Sequence, residues 1–107
     1  MQTHTDNRRT IYDWAEGNFK SAKALIVHEP INIGDHYHNN KVEEFLLISG
    51  EFLELQLGNE TEFNVKAPHK VVIPKRLYHR FVCTKGSILL GVATELFDEN
   101  DEIKQLL

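Results

Sequence analysis

The intervals between the apolar stretches of this chain are too short for a crossover helix, which removes most α/β architectures. Beyond the first twenty residues, segments rich in Val, Ile, Leu, Phe and Thr are broken every few positions by Gly, Pro or Asn, the punctuation of strands. The spacing predicts strands over 22–28, 33–38, 43–48, 52–57, 61–66, 70–73, 78–83 and 87–94. In "LELQLGNETEFNV", Leu53, Leu55 and Leu57 alternate with polar residues, Gly58-Asn59 supplies a two-residue turn, and Thr61, Phe63 and Val65 alternate back. The expected fold is all-β and antiparallel, a sandwich or barrel. The ends are less defined: "IYDWAEGNF" suits an edge strand or a helical turn, and "DENDEIKQLL" predicts a short terminal helix capped by Asp or Asn.

At 107 residues the chain is expected to form one domain, with an arm over 1–20, a barrel over 21–95 and a tail over 96–107. Hydrophobic residues at 41% and charged residues at 26% are too apolar a mix for disorder. A net charge of -4 and a pI near 5.8 provide no basic excess for nucleic acid or an anionic membrane. Cys83 stands alone, so no internal disulfide forms. No apolar run in the opening "MQTHTDNRRT" resembles a signal peptide, and "FLLI" and "ILLGVA" are too short to cross a bilayer. These features predict a cytoplasmic protein.

The chemistry concentrates in "GDHYHNNKVEEFLLISG", from Gly34 to Gly50. Side chains two apart on a strand share a face, about 6.6 Å apart along it, so His36 and His38 can aim at one point. A return through Asn39 to Val42 starts the adjacent strand at Glu43, and His79 follows the turn opened by Pro74 in "VVIPKRLYHRFV". Three imidazoles and a carboxylate suit a divalent first-row metal, with Zn, Mn, Fe and Ni all open. Four protein ligands on a five- or six-coordinate ion leave room for water or substrate.

These residues resemble the cupins, whose motifs read G(x)5HxH(x)3–4E(x)6G and G(x)5PxG(x)2H(x)3N. Here the first is His36, His38, Glu43 and Gly50, and the second is Pro74 and His79. The resemblance implies a cupin jelly-roll, or double-stranded β-helix, barrel with His36, His38, Glu43 and His79 as metal ligands. Pro30 and Pro68 stand where the motifs open on glycine, Arg76 replaces the turn glycine, and Cys83 replaces the terminal asparagine. "HYHNNKVEEFLLISG" is most similar to the cupin domain of capsular-polysaccharide enzymes that epimerise nucleotide sugars, through His36, Tyr37, His38, Lys41, Glu43, Phe45 and Gly50. It also resembles the sugar-nucleotide 3,4-ketoisomerases through Gly34, His36, His38 and the late acidic "LFDENDEI", although Ile33 replaces their arginine.

The resemblance implies an isomerase or epimerase acting on a nucleotide sugar or related carbonyl compound by metal-assisted enolisation. An Fe(II)-dependent dioxygenase and a noncatalytic sugar- or small-molecule-binding module use the same ligands and remain open. Enolisation needs a base, for which Lys41, Tyr37, Tyr78 and Glu44 are the candidates. Alternation turns both tyrosines outward, which favours Lys41. Arg76 is expected at the mouth as a cation for an anionic substrate group. Cys83 and Phe81 share the face of His79, with Cys83 expected as a small hydrophobe, and Phe45 and Leu47 are expected beneath the metal as core. Leu46 and Ile48 are expected outside, on an apolar face that a homodimer would cover.

Overall fold

The computed structural model describes residues 1–104 and is built from antiparallel strands. They are β1 (Gln2–Thr5), β2 (Thr10–Asp13), β3 (Ser21–Ile26), β4 (Asn32–His36), β5 (Glu43–Ser49), β6 (Glu51–Leu57), β7 (Glu60–Lys66), β8 (His69–Ile73), β9 (His79–Cys83) and β10 (Ile88–Ala93). One four-stranded sheet has the order β3-β10-β5-β8 and the other β4-β9-β6-β7, while β1 and β2 form a separate hairpin. This is the jelly-roll expected from the sequence. The core lies between the two sheets, where Phe45, Leu47, Phe52, Leu55, Phe81, Cys83 and Leu89 are buried together. Among the described residues no helix is long and apolar enough to cross a membrane.

The expected terminal helix is corrected. Among the described residues the tail holds a single 3-10 turn, Glu99–Asp101, capped by Asp98, and then pairs Ile103 with Tyr37 in an isolated bridge. Strand-like pairing with the site loop satisfies the backbone groups that a helix would have satisfied internally. Residues 105–107, the end of the expected helix, lie outside the described residues. The "IYDWAEGNF" segment supplies the edge strand β2, paired to β1.

The hairpin of β6 and β7 turns at Gly58-Asn59 as expected, but its face assignment differs. The register of β6 against β9 breaks at Leu53, and Asn64 sits at φ 56 in the partner strand. An irregularity of this kind reverses which side chains point inward. Phe52, Leu55 and Leu57 therefore contribute to the core, while Phe63 is 63% exposed.

The outer face of β5 also departs from expectation. Leu46 is fully buried within this one chain, whereas Ile48 remains exposed. Leu46 lies between Leu90 and Lys70, and the Lys70 ammonium pairs with Glu44 on the same face at 2.9 Å. Neighbouring side chains thus cover a residue that single-strand alternation assigns to solvent.

Candidate functional site

The two sheets bring four metal-competent side chains together at one end of the barrel. β4 provides His36, β9 provides His79, β5 provides Glu43, and His38 follows the bridged Tyr37. Their ligand atoms all lie within 4.8 Å of one another. Ligands about 2.1 Å from a common ion stand roughly 3–4.2 Å apart, so a small contraction would seat a cation. The three imidazole centroids form a triangle with edges of 4.5, 4.7 and 5.6 Å.

A bulge aims His36. On β4, Ile33 pairs with Phe81 and Gly34 with Arg80, but His79 pairs with His36, leaving Asp35 extra. Gly34 at φ 89 and Asp35 at φ 66 absorb the extra residue, so Ile33 and His36 both face inward. Gly34 has no substitute here, because a Cβ would stand 2.9 Å from both His79 Cδ2 and the His79 carbonyl oxygen. Gly50 closes the same motif at φ 97, where a Cβ would collide with the Ser87 side chain. Arg76 occupies the turn-glycine position at φ 67, and its backbone N–H donates to the His38 carbonyl at 2.6 Å.

His38 is oriented by the tail, which the sequence reading had not placed in the site. Its Nδ1 lies 3.0 Å from the Asp101 carbonyl, which only accepts, so Nδ1 carries the hydrogen and the Nε2 lone pair faces the cluster. The buried Asp101 carboxylate in turn accepts from the backbone N–H groups of Asn39 and Asn40. The late acidic segment was the only sequence signal for this contact.

The donor set fits a cation. His38 Nε2 and Glu43 Oε1 approach to 3.0 Å, yet Oε1 is buried without an aligned hydrogen-bond donor. Both atoms aim at a shared point rather than along an N–H direction. Burial would raise the Glu43 carboxyl, but the His38 contact and the Lys23 and Lys41 charges together hold it down to about 2. Burial, reinforced by His36, pushes His79 down to about 4, and burial followed by His38 lowers His36. Neutral imidazoles and an ionised carboxylate are the forms that bind a metal.

Among the base candidates, Tyr78 donates from its hydroxyl to Asp35 on the outer side, Tyr37 is bridged to the tail, and Glu44 pairs with Lys70 outside the barrel. Lys41 is only 5% exposed, with Nζ 4.0 Å from Glu43 Oε2. Cys83 is buried in the core, where burial raises its thiol to about 11, in keeping with a small hydrophobe. Lys23 was missed. It takes an inner-face register on β3 at the open end of the barrel, 54% exposed, with Nζ 3.7 Å from Glu43 Oε2 and 5.5 Å from the Phe45 ring centroid.

Fold and site together define a cupin-fold barrel with a metal-competent His3Glu cluster. A 3,4-ketoisomerase from Helicobacter canadensis is similar at a TM-score of 0.81 and 20% identity, over 97% of this chain and 86% of that one. QdtA, a sugar 3,4-ketoisomerase from Thermoanaerobacterium thermosaccharolyticum solved with TDP, is similar at 0.81 and 21%, over 97% and 83%. CapF, a capsular polysaccharide assembling protein from Staphylococcus aureus, is similar at 0.69 and 21%, over 99% of this chain but 34% of CapF. No protein-family model and no curated protein matches the chain.

Proposed function

We propose that the chain holds a divalent transition metal on His36, His38, Glu43 and His79 and isomerises or epimerises a nucleotide-linked keto sugar by enolisation. The convergence of these four groups, with Glu43 Oε1 buried and unpartnered, carries the reading. When bound, such an ion polarises a carbonyl oxygen and stabilises the enediolate that follows loss of a neighbouring proton. A nucleotide sugar is supported by the TDP bound to QdtA and by a further QdtA structure that holds TDP-4-keto-6-deoxyglucose.

In this proposal Lys41 exchanges the proton, being the one of the four base candidates that lies beside Glu43 inside the barrel mouth. Arg76 serves as a rim cation on the turn that holds His38, with its side chain exposed to a ligand. A second copy of the chain would cover the outer face of β5, of which Ile48 remains exposed while Leu46 is already buried within the chain. Light scattering that finds a dilute monomer removes the dimer.

Metal content of freshly purified protein tests the first step, with near-stoichiometric metal expected and its loss in His38→Ala. Incubation with TDP-4-keto-6-deoxyglucose in D₂O tests the second, with deuterium expected at carbon beside the carbonyl. Lys41→Arg keeps the charge but cannot give up its proton, so exchange at the unaltered rate in that variant would remove Lys41 as the base. Metal-replete protein that exchanges no hydrogen would be a binder rather than an isomerase.

A further inference from the structure

Glu43 has two sides. Oε1 faces the imidazoles, while Oε2 faces a cavity of about 280 Å³ lined by Lys23, Lys41, Gly91 and Phe97. We propose that this cavity is an oxyanion subsite that holds a phosphoryl or carboxylate group of the ligand, with Lys23 as its principal anchor.

Register places Lys23 there. β3 pairs Lys23 with Gly91 of β10, and Gly91 pairs with the inward Phe45 of β5. A Cβ at Gly91 would stand 2.7 Å from Phe45 Cε1 and 3.4 Å from Lys23 Cγ, so the missing side chain makes room for the lysine stem. The stem runs past the Phe45 ring and carries the ammonium to 3.7 Å from Glu43 Oε2, with the side chain 54% exposed at the open end of the barrel. Phe97 covers the opposite side, its ring centroid 6.0 Å from Lys41 Nζ.

Charge makes the cavity selective. Among the described residues, Glu43 is the only acid within 4.0 Å of either ammonium, and it also faces His38 at 3.0 Å. Two cations share one carboxylate oxygen, leaving one positive charge uncompensated in a partly enclosed space. Lys41 is too buried for full hydration, and an oxyanion entering the cavity would pair with the more exposed Lys23, leaving Lys41 to exchange its proton with the ligand. Because Glu43 touches both compartments, a ligand spanning them would set its reacting carbons at the imidazoles and its anionic group on the far side of the Glu43 carboxylate. The subsite deepens the sugar-isomerase reading and rests on that reading for the identity of the reacting group alone.

Chemical-shift mapping of the purified protein with inorganic phosphate, diphosphate and acetate tests the subsite without turnover. Phosphate or diphosphate is expected to shift the amides of Lys23, Gly91 and Phe97. A matching response to acetate assigns the subsite to oxyanions of either kind, and a response to the phosphates alone assigns it to phosphoryl groups. Lys23→Gln should weaken binding at least tenfold, while Lys85→Gln should leave it within twofold. Shifts confined to the His36–His38 loop, no shifts with any of the three anions, or unaltered binding by Lys23→Gln would overturn the subsite. The wild-type map is decisive by itself if the variant fails to fold. Anion binding at Lys23 without deuterium exchange would retain the subsite and remove the isomerase, whereas exchange unaffected by Lys23→Gln without anion binding would do the reverse.

Discussion

β9 and β4 both deliver an imidazole to the same point, but by different means. β9 is regular: His79, Phe81 and Cys83 alternate inward, each buried, with half-buried residues between them. β4 inserts Asp35 between an inward Ile33 and an inward His36, and holds the irregularity with two left-handed residues. A regular strand couples a ligand to the core through simple periodicity, whereas a bulge lets the ligand's direction be set apart from the core's. The two histidines should therefore fail differently.

Replacing Gly34 and Asp35 together by valine should have the largest effect. β-Branched residues reject the left-handed conformations that hold the bulge. Regular pairing with Asp35's position retained then turns His36 outward and should lower metal content to the level of His36→Ala, while circular dichroism still reports a folded sheet. Metal retained in the double variant would break the comparison. On the regular strand, Phe81→Ala should cost about 3–5 kcal/mol in urea unfolding, because Phe81 is fully buried against Phe45 and Phe52. A cost below ~1 kcal/mol would show that β9 is not the rigid half.

Acidity sharpens the contrast at a smaller scale. His79 moves from near 6.5 down to about 4 on folding, mainly through burial. Between those values the unfolded chain binds the extra proton, so the metal-free protein is fully stabilised above about pH 6.5 and loses stability as pH falls toward 4. The loss reaches roughly 3 kcal/mol for a shift of this size. Glu43, held at about 2 against 4.5 when unfolded, stays ionised in the folded chain and adds a slope of the same sign below about pH 5, so the His79 contribution stands alone only above that. Denaturation of the chelator-treated protein at several pH values should show the slope, and His79→Gln should flatten it. The smallest effect is expected at Arg76→Gly, where relief of the left-handed backbone should add about 1 kcal/mol of stability. A loss instead would mean that the arginine side chain stabilises the turn.

Much of the architecture was legible because strand periodicity and turn residues act locally. Gly58-Asn59 marks its hairpin without reference to any other strand, and His79, Phe81 and Cys83 obey the alternation that their neighbours display. The parity breaks were not legible. Nothing in "NIGDH" distinguishes an extra residue from an ordinary one until β9 lies beside it, and Leu53 and Asn64 misdirect Phe63 in the same way. Lys23 was hidden for a related reason: in "SAKALI" the inward Ser21, Lys23 and Leu25 are less apolar than the outward Ala22, Ala24 and Ile26. Asp101 reaches His38 through a backbone carbonyl, which carries no residue-specific signature.

Residue types and their spacing determined an antiparallel jelly-roll and the four groups able to hold a cation, because hydrophobic alternation and ligand chemistry are written into single segments. The tertiary structure decided which way His36 faces, which atom of His38 meets the site, and that two lysines share Glu43. Those features depend on register between strands and on a tail folded back across the barrel, and such relations exist only once distant segments pair.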